Sequence, residues 1–172
     1  MQQFEKAFDV LIKNQLTTDE MEHCYNLYQN VKNNNHAINT FTYPITIFNK
    51  MINDPNWEFI LLYLREENTK QAVGIMFCYK NMEHTYVPAL IGMNYTYALK
   101  FQIYRQLLYQ TIKRARELNF KKIDFGFSAT FEKKKLGATI IPKVAYIQAR
   151  DNFSMELMGT LQNEDNTNRN NK

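Results

Sequence analysis

Residues 121 to 139, KKIDFGFSATFEKKKLGAT, gather the side chains best placed to do chemistry in this sequence. A short apolar strand ends on Asp124-Phe125-Gly126, a polar loop follows, and Lys133, Lys134 and Lys135 precede Leu136-Gly137. A carboxylate can take up a proton, and an ammonium can neutralise developing negative charge. Asp124 reads as a base, as a partner for Lys133, or as a turn or cap residue. Gly126 permits a close backbone approach or a positive φ. Ser128 caps the following helix or contacts substrate. Asp-Phe-Gly also occurs in protein kinases, but a kinase needs a Gly-rich phosphate loop, a strand lysine and a His-Arg-Asp catalytic loop. None is present.

Other reactive groups carry less. Glu83 and His84 open a strand and are candidate bases. His23 and His36 lie on or beside the first helix without a ligand partner at i+4, and no His/Cys cluster has metal spacing, so no metal is expected. Cys24 and Cys78 fall in core-like stripes, and Ser128 lacks the nucleophile-elbow glycines. Nucleophilic catalysis is therefore unsupported.

The elements that must position these groups follow from periodicity. With 172 residues, 45% apolar and 14% aromatic, the chain fits one domain spanning 1–161, with a disordered Asn-rich tail at 162–172. A strand is predicted at 4–12. Thr17-Thr18-Asp19-Glu20 then forms a capping box for a helix that ends at Asn33-Asn34-Asn35. Pro44 suits the first turn of a second helix, stopped by Asn53-Asp54-Pro55. The runs 57–65, 71–80 and 83–93 read as an antiparallel meander, and WEFILLYL within the first is apolar on both faces, as a central strand should be. The period turns helical over 99–118, with Phe101, Tyr104, Leu108, Ile112 and Ala115 on one stripe. A short strand at 121–127 should run parallel to 83–93. A short helix bearing the lysines, a last strand at 142–149 and a final helix at 152–161 complete the order. The fold class is α/β of the α+β kind: a mixed, mostly antiparallel sheet with helices on both faces.

This order, together with Asp124-Phe125-Gly126 and Lys133-Lys134-Lys135-Leu136-Gly137 at the same spacing, resembles the GNAT acyltransferase superfamily over residues 4 to 150. Within it, the motif is similar to the FemAB-like branch. The resemblance implies an acyl (acetyl) transferase in which two parallel strands, here 83–93 and 121–127, splay apart to admit acetyl-CoA or another acyl-CoA. It places Gly92, Met93, Asn94, Tyr95, Tyr97, Gly126, Phe127, Ser128 and Lys135 along the donor. Lys133 takes the place of a lysine near the acyl centre, beside Asp124. The superfamily's Gln/Arg-x-x-Gly-x-Gly/Ala phosphate loop is replaced here by GMNYTYALK (92–100), which has no second glycine. FemAB-like proteins also lack that loop.

Charge keeps alternatives open. Segment 100–135 carries Lys100, Arg105, Lys113, Arg114, Arg116, Lys121, Lys122, Lys133, Lys134 and Lys135 against Glu117, Asp124 and Glu132, a net +7 in a chain of +4. Such a field favours a phosphate-bearing partner: acyl-CoA, an aminoacyl-tRNA, or RNA bound by a non-catalytic module of the same fold. The acceptor is read as a small-molecule or peptide amine. The chain works alone, as a homodimer or as part of a larger enzyme. No secretory signal and no apolar run near the ~20 residues of a membrane span are found, so a cytoplasmic location is expected.

Overall fold

The computed structural model describes residues 5–34, 42–66, 71–81, 84–127, 130–142 and 144. It divides into two compact units, 1–138 and 139–172. The first contains every described element. In the second, residues 139–142 and 144 form neither helix nor strand, and the strand and helix expected at 142–149 and 152–161 otherwise lie outside the described residues.

Five strands stand in chain order: β1 (Phe8–Lys13), β2 (Trp57–Leu64), β3 (Gly74–Asn81), β4 (Thr85–Met93) and β5 (Lys122–Ile123). β2, β3 and β4 form the expected antiparallel meander, β1 adds to β2 antiparallel, and β5 joins β4 in parallel. The helices are α1 (Thr18–Asn34), α2 (Ile45–Ile52), α3 (Tyr95–Ala98), α4 (Ile103–Glu117) and α5 (Thr130–Lys135). The helix expected over 99–118 begins only at Ile103, with the separate α3 lying before the expected span, and the strand expected over 121–127 shrinks to two residues. Phe101 and Gln102, between α3 and α4, are in turns, and Gln102 takes a left-handed φ of 55°.

Local chemistry fixes α1. The Thr17 amide donates to Glu20 Oε2 (3.0 Å), while the Glu20 amide donates to Thr17 Oγ1 (3.2 Å). This is the reciprocal cap that the sequence announced. Lys13 pairs with the same Glu20 and ties the helix start to β1.

Side-chain alternation along the strands builds two cores. Ile60, Leu62, Met76, Cys78 and Tyr86 pack with Ile103, Leu107 and Leu108 of α4. Phe59, Leu61, Ile75 and Phe77 pack on the opposite face with Met21, Cys24, Leu27 and Tyr28 of α1 and with Phe48 and Met51 of α2. Burial on both sides makes β2 apolar throughout, as expected, apart from one carboxylate, Glu58.

At Gly92 the backbone of α1 lies close against the sheet. A Cβ built there would lie 2.7 Å from the Tyr28 amide nitrogen and 2.8 Å from the Leu27 carbonyl carbon. Both are helix backbone atoms and cannot swing aside. Gly92→Ala is expected to destabilise the fold by about 1–3 kcal/mol, as overpacked cores do. At roughly 2–4 °C per kcal/mol for a domain of this size, thermal denaturation should show a fall of several degrees. An unchanged melting temperature would mean that α1 can move off the strand.

Candidate functional site

β4 and β5 pair at only two positions, Thr85↔Lys122 and Tyr86↔Ile123. The carbonyls of His84 and Tyr86 accept from the amides of Lys122 (3.3 Å) and Asp124 (3.0 Å). Continuing a parallel ladder would require both the amide and the carbonyl of residue 88. That residue is Pro88, which has no N–H. The amide that should reach its carbonyl belongs to Gly126, and it donates instead to Asp124 Oδ1 at 2.8 Å. The register of β4 against β3 also slips here: Phe77 faces Leu90 but Cys78 faces Pro88, leaving Ala89 as the extra residue of a bulge. Bulges bend and twist the strand that carries them. Past Tyr86, β4 has no strand partner on this edge among the described residues.

Which amides face this open edge follows from the antiparallel ladder with β3. The Asn94 amide donates to Val73 O (2.9 Å). Because the ladder alternates, Gly92 turns its amide to β3 as well, while Ile91 and Met93 turn theirs toward the open edge. Of Gly92, Met93 and Asn94, only Met93 therefore presents its amide to the cleft. Ile91, which sequence reasoning missed, does the same. The parity of a strand's amides depends on its partner's register, which no single strand sequence reveals.

At the end of β4 the Asn94 side chain accepts from the Thr96 amide (3.0 Å), capping α3 internally. Tyr95 is exposed. Tyr97 is half-buried, packing against the core with its ring centroid 6.3 Å from that of Phe101. Within the segment 92–100 the Thr96 amide is thus already taken by a cap. The longer helix start lies further on, at α4, whose N-cap residue Gln102 makes no side-chain cap bond.

The Asp-Phe-Gly turn faces this edge. Gly126 has φ 64° and nothing within 4 Å of a built Cβ, so its glycine serves conformation and not close approach. The Lys133 ammonium donates to the carbonyls of Phe125 (2.6 Å) and Phe127 (2.7 Å), gripping the loop from beneath. Lys133 is only 6% exposed, whereas Lys134 and Lys135 are exposed. Burial pushes the Lys133 pKa down, and the Asp124 charge partly opposes that. Lys135 stacks its ammonium 4.0 Å from the Phe131 ring and lies 3.9 Å from Glu132. Arg105 of α4 holds Glu132 through Nε and through Nη2 (2.9 Å), fastening α5 to the first turn of α4. Phe127 is exposed; Ser128 lies outside the described residues.

A second polar cluster went unread in the sequence. Glu58, fully buried on β2, accepts from the Tyr86 hydroxyl (2.5 Å) and from Arg114 Nε and Nη2 (both 3.0 Å). Burial pushes the Tyr86 hydroxyl pKa up and keeps it a donor. A lone carboxylate in an apolar strand was the available signal. His84 sits at the hairpin with φ 70°, at the end of β4 away from the open edge. His23 makes a 2.7 Å contact from Nε2 to Ala72 O. Glu83 and His36 lie outside the described residues. Among the described residues no three His, Cys, Asp or Glu side chains form a metal-binding group, and no helix is long and apolar enough to cross a membrane.

Comparison with known proteins gives a family match over residues 2–134, to the model described as acetyltransferase (GNAT) domain. No curated protein matches. Solved structures share the fold at low identity. An aminoglycoside acetyltransferase from an uncultured soil metagenomic sample is 12% identical with a TM-score of 0.58, covering 86% of this chain and 99% of that one. The aminoglycoside N-acetyltransferase AAC(6')-Iy in complex with CoA is 11% identical with a TM-score of 0.55, covering 84% and 97%. The ribosomal-protein-S18-alanine N-acetyltransferase of Escherichia coli is 16% identical with a TM-score of 0.53, covering 75% and 77%.

The two clamps on the loop are separable. Lys133→Met should cost about 1.5–3 kcal/mol, the usual worth of hydrogen bonds from a charged group, and Lys134→Met under about 0.5 kcal/mol, by chemical denaturation. Equal effects would mean that Lys133 is merely another solvated lysine. The Arg105 guanidinium holds the Glu132 carboxyl below its ordinary range. A carboxylate whose folded pKa is depressed stabilises above its unfolded value, about 4.5, and loses that contribution as pH falls through the folded value. Arg105→Gln should flatten the acid limb of stability below about pH 4.5; an unaltered limb would show that this pair does not fasten α5.

Proposed function

The chain belongs to the acetyltransferase (GNAT) domain family, and from that premise we propose that it transfers an acyl group, acetyl in the first instance, from acyl-CoA to an amine. The observation that carries this reading is the parting of β4 and β5 directly after Tyr86, with a buried lysine under the loop that forms one wall. The thioester would lie in that gap, against the edge amides of Ile91 and Met93, with its phosphates toward the start of α4. The neutral amine attacks the thioester carbonyl; the C–N bond forms, the C–S bond breaks, and the proton lost by the amine ends on the departing thiolate. The carbonyl oxygen gains negative charge in between, and donors fixed in a dry site stabilise it best. Lys133 is the proposed source of that stabilisation: an ammonium has three donors, and the two carbonyls use two.

Names among the structural neighbours support acyl-CoA as donor and an amine as acceptor, since one was solved with CoA and another is an alanine N-acetyltransferase. The 121–139 motif supports the FemAB-like branch. An aminoacyl-tRNA donor, or a non-catalytic RNA-binding module, is favoured by the exposed Lys121, Lys122 and Lys134. It is weakened by the internal partners of Arg105, Lys113, Arg114 and Lys133.

In an NMR titration, CoA should perturb the amides of Ile91, Met93, Tyr95, Tyr97, Gly126 and Phe127. Perturbation confined to α1 and α2, or none at millimolar CoA, would sink the acyl-CoA reading. In an acyl-transfer assay Lys133→Met should lose about 10²–10³ in kcat, the usual loss for one oxyanion donor, while Lys134→Met keeps wild-type turnover. Full turnover by Lys133→Met would remove Lys133 from the chemistry.

A further inference from the structure

Resting on the acyl-transfer reading, we propose that Asp124 is a positioning residue: with Pro88 it stops β4 and β5 from zipping past Tyr86 and so holds the donor cleft open. Two extended strands that present matched donors and acceptors pair readily. Here both donors of the next rung are disabled. Pro88 has no amide to give, and the Gly126 amide is captured by Asp124 Oδ1 at 2.8 Å. That capture bends the chain into a side-chain-closed turn, with Gly126 at φ 64° and out of the extended region. Lys133 draws the carbonyls of Phe125 and Phe127 to itself, within α5 and its preceding loop. On the β4 side the last rung is anchored. The Tyr86 hydroxyl bonds to Glu58, and Arg114 grips both oxygens of that carboxylate. These bonds fix β4 against β2 and α4 at its last paired residue.

A general base must have a titrating carboxylate. A turn of this kind needs only a side-chain oxygen that accepts, and asparagine supplies one. Asp124→Asn therefore separates the two roles. It should keep kcat within about threefold of wild type with the same low-pH limb of the pH–rate profile, while Asp124→Ala raises KM for acyl-CoA about tenfold with little change in kcat. In the double variant Pro88→Ala/Asp124→Ala the rung can form. Hydrogen exchange should show a protected amide at position 88, and KM for acyl-CoA should rise beyond that of Asp124→Ala alone. The proposal is overturned if Asp124→Asn lowers kcat by more than about tenfold and its low-pH limb disappears. It is overturned equally if the double variant leaves the position 88 amide unprotected. Should an alanine variant fail to fold, Asp124→Asn alone decides by its kcat and its low-pH limb. If the wild type neither transfers an acyl group nor binds CoA, the acyl-transfer reading fails, and exchange at position 88 still decides whether Pro88 and Asp124 keep the strands apart.

Discussion

One unmade rung organises this molecule. β4 and β5 begin as a parallel pair and part after Tyr86, where the backbone has neither a donor at Pro88 nor a free amide at Gly126. Most of what surrounds the gap reads as support for that parting. The bulge at Ala89 turns β4 away, the left-handed Gly126 turns the other chain away, and Lys133 pulls the intervening carbonyls down toward α5. A sheet edge with unpaired backbone is ordinarily a liability. Under the proposed function it becomes the place where an extended acyl donor would lie beside a strand.

The basic segment 100–135 has a use inside the fold. Arg105 fastens α5, Lys113 pairs with Glu5, Arg114 grips Glu58 and also reaches Glu117, and Lys133 holds a loop. The Arg114–Glu58 pair is the costly member, because Glu58 leaves water entirely and Arg114 keeps only 23% exposure; its geometry, with both carboxylate oxygens engaged and a hydroxyl added, is the kind that repays desolvation. A charge count along the sequence sees a cationic field, whereas the fold converts much of it into internal fastening. What remains for an external phosphate is correspondingly smaller.

Local rules made much of the fold legible. The Thr17–Glu20 box, the meander of β2 to β4 and the parallel entry of β5 were all written in short windows of sequence. The stripe of α4 was legible only in part: Leu108 and Ala115 are buried, but so are Ile103, Leu107, Gln110 and Thr111, outside the expected set. The burial of Lys133 beside two exposed lysines agrees with its singled-out place in the motif, although its two carbonyl partners could not have been named. Three features were illegible because they depend on residues far apart. The amide parity of Ile91 and Met93 needs the register of β3, the need for glycine at 92 comes from the backbone of α1, and Glu58 acquires meaning only when Tyr86 and Arg114 arrive from other elements. The break between α3 and α4 hid for a different reason: Gln102 adopts a left-handed backbone that its residue type does not advertise.

The meander has a kinetic corollary. β2, β3 and β4 follow one another with nine and three residues between them, so their contacts close small loops and can form early. β5 reaches β4 only after a helical crossover and is held there by two residue pairs. Its docking closes a longer loop for less ladder, which places it late in folding and among the first segments to open in local fluctuations. The wall of the cleft that carries Asp124 and Lys133 is thus held to the sheet by two residue pairs, while β4, the opposite wall, is held to β3 by eight.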